Sequence, residues 1–194
     1  MSEGEGVLNR RMIFCKTLLS KYTTDELYTT CSDCDQFLCI CCRDYSNDTT
    51  CHHYPLVFTD GACSRNGLGD ATSGIGGSFG EDVEYQWSMP VNHLVDSTPV
   101  HTNQRAELLA VIEGVRRLGD FLQSKWDPEN RPSRDDRAEM VVATDSEYVC
   151  KGVTEWMPKW KVCLPFLLTQ CYGDVSDHFQ DKWMADQFRK NCVE

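Results

Sequence analysis

The chain has no uninterrupted apolar run approaching about 18 residues, so it offers no candidate transmembrane helix. Its first residues, Met1-Ser2-Glu3-Gly4-Glu5-Gly6, are acidic and polar. They lack the basic start and apolar stretch of a secretion signal and the Arg-rich, acid-poor character of a transit peptide. The expectation is therefore an intracellular protein, cytoplasmic or nuclear. Positive charge is also scarce: 19 Lys and Arg stand against 30 Asp and Glu, a formal net charge of -11. Taken alone, that argues against a nucleic-acid partner, because phosphate binding needs local positive charge. No internal repeat is present. What the chain does hold is enough apolar residue (41%) to exclude wholesale disorder, and twelve cysteines in 194 residues. Without a secretion signal, those cysteines read as metal ligands or free thiols before disulfides.

Three unlike parts follow one another. Residues 1–54 are polar and Cys-rich, residues 55–161 alternate strand-like and helix-like patterns, and residues 162–194 have a different character again. In the middle part, Leu56-Val57-Phe58-Thr59 suits a strand buried on both faces, stopped by a turn at Asp60-Gly61. Cys63 to Gly74 reads as a loop. Ile75–Phe79 and Glu84–Met89 read as a hairpin around Gly80-Glu81-Asp82. Thr102-Asn103 can cap a helix that begins near Gln104, with Leu108, Val111, Ile112, Val115 and Leu118 as its buried stripe and Gly119 as its stop. The charged stretch 127–137, with two prolines, reads as a solvated connector. Met140-Val141-Val142-Ala143 is a further buried strand. A second helix follows, with Tyr148, Val149, Val153, Trp156 and Met157 along one side. The order implies a mixed α/β sheet in which a three-stranded antiparallel unit is extended by a strand parallel to the first.

Three carboxylates stand out against that order. Asp60 ends the first strand, Glu107 sits in the first turn of the first helix, and Asp145 ends the fourth strand. Singly, each has an ordinary reading as turn, dipole partner or cap residue. If the first and fourth strands are parallel neighbours, both aspartates emerge at the carboxyl edge of the sheet, where open α/β sheets place their sites. Converging carboxylates repel unless a hard divalent cation lies among them, and an all-oxygen set favours Mg²⁺ or Mn²⁺.

The stretches Phe58-Thr59-Asp60-Gly61-Ala62-Cys63, Thr102-Asn103-Gln104-Arg105-Ala106-Glu107-Leu108 and Ala143-Thr144-Asp145-Ser146-Glu147-Tyr148-Val149 resemble type 1 ribonuclease H, most closely its fungal forms. Glu155-Trp156-Met157-Pro158-Lys159-Trp160-Lys161 resembles the family's end of the second helix, and the resemblance covers about 105 residues. It implies endonucleolytic cleavage of the RNA strand of an RNA/DNA hybrid. Asp60, Glu107 and Asp145 would then be catalytic metal-binding carboxylates for Mg²⁺ or Mn²⁺. Asn66, Asn103 and Gln104 match positions that contact the hybrid, where short amides can read the 2′-hydroxyls across a wide minor groove.

After Lys161 the sequence departs from the family. The expected Asn-Gly-Trp, basic segment, fifth strand, C-terminal helices and fourth acidic residue do not follow. Lys182-Trp183-Met184-Ala185, read one nucleotide later, forces Gly then Trp after a codon that can be Asn, the expected continuation in another frame. The expectation is that 162–194 is non-native sequence from a retained intron or misplaced exon; transcript sequencing across the Lys161 codon tests it. A ribonuclease H-like sheet lacking its fifth strand and C-terminal helices would leave the fourth strand's outer edge unpaired.

In the N-terminal part, Cys31-x2-Cys34, Cys39-x2-Cys42 and Cys51-His52-His53 have thiolate and imidazole spacings that suit tetrahedral Zn²⁺. The ligand set stays open between Cys31, Cys34, Cys39 and Cys42 and a combination of Cys31 and Cys34 with Cys51 and His53. Cys15, Cys63, Cys150, Cys163, Cys171 and Cys192 are isolated thiols. Besides the hybrid nuclease, two other functions fit the residues: a truncated, inactive relative with weak nucleic-acid binding, and a zinc-dependent interaction module.

Overall fold

The computed structural model describes residues 11–12, 14–40, 52–96, 100–125, 138–157 and 192–193. The elements run α1 (Lys16–Leu19), β1 (Tyr28–Thr30), β2 (Phe37–Cys39), β3 (Leu56–Ser64), β4 (Thr72–Ser78), β5 (Gln86–Pro90), α2 (Asn103–Ser124), β6 (Val141–Ala143), α3 (Glu147–Lys151) and β7 (Cys192–Val193). The main sheet has the order β5-β4-β3-β6-β7. Strands β3, β4 and β5 are antiparallel neighbours, and β6 pairs parallel with β3, as the element order implied.

Strand β3 is longer than its sequence suggested. Asp60-Gly61 is not a turn: the strand continues to Ser64, and β4 begins at Thr72. The antiparallel partner explains the difference, because Asp60 to Ser64 find ladder partners from Gly76 to Thr72 after the parallel pairing has stopped. Gly61 has a packing role. A Cβ there would lie 2.3 Å from the Ala106 carbonyl carbon and 2.5 Å from the Glu107 nitrogen. Gly114 makes a second close approach, since a Cβ would meet Thr59 Cγ2 at 2.5 Å. Two glycines, one on each element, therefore let α2 lie directly on β3.

Helix α2 starts where its sequence indicated. Thr102 is the cap, its Oγ1 accepting the Arg105 N–H at 3.3 Å. It does not stop at Gly119, which is buried within a helix that continues to Ser124. Phe121 and Leu122 carry it onward by packing on the core, where the Phe121 ring lies 5.5 Å from Phe79 and 5.2 Å from Tyr85. That contact outweighs the roughly 1 kcal/mol disadvantage of a helical glycine. Val111, Val115 and Leu118 are buried as expected, but Ile112 is 41% exposed at the margin of the stripe. Together with Val57, Met140, Val142, Val149 and Val153, they form the core on the α2 side of the sheet. Each such side chain contributes about 1.5–3 kcal/mol by burial. Helix α3 widens into a π-helical turn over Gly152–Trp156, which keeps Val153 buried and sets the Trp156 ring 5.3 Å from Tyr148.

The opposite face of the sheet is covered by the N-terminal segment. Phe14, Leu18, Leu27 and Cys39 bury against Leu56 and Val141. Short bridges tie β2 to the main sheet, Gln36 with Gly80 and Leu38 with Pro55. The outer side of β6, expected to be unpaired, holds the two-residue β7, with Cys192 opposite Val142 and Val193 opposite Ala143. The physical reason is the one that made a bare edge unfavourable: β6 is buried, and its outward N–H and C=O groups need partners. The charged connector at 127–137 and residues 162–191 lie outside the described residues.

Candidate active site

The parallel register defines the site. The last β3–β6 pair is Phe58 with Ala143. Asp60 and Asp145 each lie two residues beyond that pair, so both come off the same carboxyl edge from adjacent strands. Strand alternation sets Asp60 on the face of Leu56 and Phe58, away from α2. Both aspartates are exposed. They line a cleft of about 1060 Å³, walled on one side by Phe14, Leu27 and Tyr28 of the N-terminal layer and floored by Gly76 and Gly77. Gly76 is the ladder partner of Asp60, so no side chain stands beside the carboxylate at that position.

Glu107 approaches from α2, brought there by the Gly61 contact. Its carboxylate is held at both oxygens. Asn103 Nδ2 donates to Oε1 at 2.7 Å, and Ser146 Oγ donates to Oε2 at 2.5 Å. Ser146 is itself buried and caps α3, its Oγ accepting the Val149 N–H at 3.2 Å. It directly follows Asp145, so one tripeptide, Asp145-Ser146-Glu147, presents a carboxylate, fixes Glu107 and starts a helix. The three carboxylates share one end of the sheet. Among the described residues, however, their oxygens are not a group lying within 4.8 Å of one another.

The three amides expected to contact a hybrid occupy this rim. Asn103 is engaged internally: its Oδ1 accepts the Cys63 N–H at 3.1 Å while its Nδ2 holds Glu107. Asn66 Oδ1 accepts the Asn103 backbone N–H at 2.9 Å, satisfying a donor that the start of a helix leaves free. Asn66 and Gln104 are exposed. The loop carrying Asn66 is fixed by Gly67, at φ +77°, whose N–H reaches the His101 carbonyl at 2.9 Å. Sequence reading missed Ser146 as a partner of Glu107. Its only signal was its place as a helix cap beside Asp145.

The cysteine-rich candidates separate in space. Cys31, Cys34 and His52 come together, with their ligand atoms all within 4.8 Å of one another. Cys39 does not join them. It lies in the apolar layer with Phe14, Leu18 and Leu56, and burial pushes its thiol up to about 12. His53 also stays apart, its ring edge-on to Tyr54 at 4.7 Å. His52, rather than the expected His53, is the imidazole beside Cys31 and Cys34. Cys42 and Cys51 lie outside the described residues.

With this geometry in place, the comparisons with known proteins are specific. The profile of the RNase H family matches residues 52–166. The ribonuclease H of Schizosaccharomyces pombe is 30% identical over 122 residues, covering 60% of this chain and 38% of that protein. The ribonuclease H of Bordetella avium is 33% identical over 105 residues, covering 54% of this chain and 52% of that one. The chain thus spans about half or less of the length of these relatives. Among solved structures, the solution structure of the PFV RNase H domain aligns with a TM-score of 0.40 and 20% identity over 72% of this chain and 76% of that chain.

Proposed function

The chain belongs to the ribonuclease H family, and from that premise we propose that its carboxylate edge hydrolyses the RNA strand of RNA/DNA hybrids. The observation that carries this reading is the matched register of Asp60 and Asp145 two residues past the Phe58–Ala143 pair, with Glu107 tied to Ser146 beside them.

The donor types suit a hard divalent cation, around which the three carboxylates would draw together. The donors are carboxylates from three elements, and the glycine floor at Gly76 and Gly77 leaves room beside Asp60. Asp60, Glu107 and Asp145 would hold Mg²⁺ or Mn²⁺. Bound there, the metal would supply an activated water and charge stabilisation on the leaving oxygen. The chain's own part is positioning. Asn103 and Ser146 fix both oxygens of Glu107, so its carboxylate does not rotate away when the substrate phosphate arrives. Gln104 and Asn66, exposed on the same rim, read 2′-hydroxyls; Asn103, beside them, also supports Glu107 and Cys63.

The partner is accordingly a nucleic-acid duplex with one RNA strand. Among the described residues, no helix is long and apolar enough to cross a membrane. The test is cleavage of a hybrid labelled on the RNA strand, with Mg²⁺ or Mn²⁺, using Asp60→Asn as control. Internal cuts in the RNA that disappear in the variant support the reading. Cuts that persist in Asp60→Asn assign the activity elsewhere.

A further inference from the structure

On the far side of the sheet from α2, the turn between β1 and β2 brings Cys31 and Cys34 against His52, the residue that leads into β3. The separation of Cys34 Sγ from His52 Nε2 is 3.2 Å. Around a tetrahedral Zn²⁺ with Zn–S near 2.3 Å, ligand atoms sit about 3.3–3.8 Å apart, so the three side chains need only small adjustments. We propose that Cys31, Cys34 and His52 supply three ligands of a zinc site, with water in the fourth position, that fastens the N-terminal layer to the ribonuclease H sheet.

One surrounding group already donates to sulfur there, and a second could do so after an amide flip. The Asp33 backbone N–H points at Cys31 Sγ at 3.4 Å. Gln36 is 4% exposed; its Oε1 lies 3.5 Å from Cys34 Sγ, and its Nε2 is buried with no hydrogen-bond partner. An amide oxygen facing that sulfur suits a thiol, which can donate. A thiolate can only accept, and a half-turn of the Gln36 amide then gives the orphaned Nε2 its partner. Both donors would support the thiolates from outside the ligand set, as groups around metal centres do. The binding step balances simply: hydrated Zn²⁺ exchanges waters for two thiolates and one imidazole nitrogen, keeps one water as its fourth ligand, and two thiol protons pass to solvent.

The place of the site gives it a structural consequence. The Cys31–Gln36 turn is closed by the Asp35 N–H to the Cys31 carbonyl and the Cys31 N–H to the Gln36 carbonyl, each 2.9 Å. Asp35, at φ 54°, then accepts the Glu81 N–H at 2.9 Å, and Thr30 Oγ1 donates to the Glu81 carboxylate at 2.9 Å. The turn is thereby joined to the β4–β5 connection, while His52 belongs to the segment entering β3. A metal bridging the two closes a loop across the N-terminal layer, the same layer that walls the cleft beside Asp60 and Asp145.

The experiment uses the full chain purified under reducing conditions and reads metal by mass spectrometry of the element. About one zinc per chain is expected, with a Co²⁺-loaded sample showing a thiolate-to-metal charge-transfer band. Cys31→Ser, Cys34→Ser and His52→Ala each lose the metal. His52→Cys retains it, and Cys15→Ser is indifferent. Gln36→Leu weakens zinc binding about tenfold without abolishing it. Because cysteine variants can fail to fold, the Co²⁺ spectrum of the unaltered chain stands as an independent reading. Folded wild-type protein without stoichiometric zinc, a Cys31–Cys34 disulfide in the cell-derived protein, or zinc retained by a folded Cys31→Ser/Cys34→Ser variant would each overturn the proposal.

Discussion

Ser146 shows how much of the site depends on a single hydroxyl. It donates to Glu107 and accepts from the Val149 N–H, so it links a carboxylate to the start of α3. Ser146→Ala should lower stability by about 1 kcal/mol through loss of the cap, and lower hybrid cleavage about 10–100-fold through loss of the Glu107 contact. Urea unfolding and steady-state kinetics on the same preparation separate the two effects. A loss of stability with unchanged turnover would show that Ser146 only caps. Gln104 offers the opposite case, exposed and outside any described contact with the carboxylates; Gln104→Ala should raise KM several-fold with little change in kcat. Glu113 tests the electrostatics away from the cleft. Hydrogen bonds from Arg116, and then Arg117, hold its carboxyl below the ordinary value of 4.5. A depressed folded value means the contribution is fully present above about pH 4.5 and is lost as the pH falls through the lower folded value. Glu113→Gln should therefore lower stability at neutrality, with the deficit closing as the pH falls through the acid limb, which becomes flatter in the variant. A parallel acid limb in wild type and variant would contradict that.

At the scale of elements, the contact of α2 on β3 is what converts a strand and a helix into a site. Gly61→Ala would place a methyl group against the Ala106 backbone, which cannot yield as a side-chain tip can. It should destabilise by about 1–3 kcal/mol or more and displace Glu107 from Ser146, seen together as a lower unfolding midpoint and weaker cleavage. The parallel pairing of β3 with β6, and the placing of Asp60 and Asp145 two residues past it, were legible because Leu56–Thr59 and Met140–Ala143 are apolar runs that an acidic residue follows within two positions. The end of α2 was not legible. Gly119 looks like a stop in one dimension, whereas the packing of Phe121 on Phe79 and Tyr85 exists only in the folded sheet. The continuation of β3 through Asp60-Gly61 was hidden for a related reason: the ladder partners that support it, Gly76 and Ile75, come from a different strand. That His52 rather than His53 lies beside Cys31 and Cys34 was likewise beyond spacing arguments, since adjacent residues differ only in which way the chain turns them.

For the molecule as a whole, the scarcity of positive charge bears on how substrate is held. Residues 55–160 carry 10 Lys and Arg against 17 Asp and Glu, and three of those acids form the carboxylate edge. Binding should thus rest on short amide contacts and on the metal rather than on many phosphate contacts. Its loss between about 50 and 200 mM salt should be far smaller than the roughly 10³–10⁵ expected of proteins with 6–10 phosphate contacts. The N-terminal layer belongs to the same picture, since Phe14, Leu27 and Tyr28 shape the cleft that Asp60 and Asp145 line. The most direct test is incubation of the purified chain with Mg²⁺ and a hybrid labelled separately on each strand, beside Asp60→Asn. The expected result is internal cleavage of the RNA strand, intact DNA, and a loss of at least about 100-fold in the variant, which retains the wild-type unfolding midpoint. Equal cleavage by Asp60→Asn, or no RNA cleavage by a folded, metal-supplied wild-type chain, would contradict it.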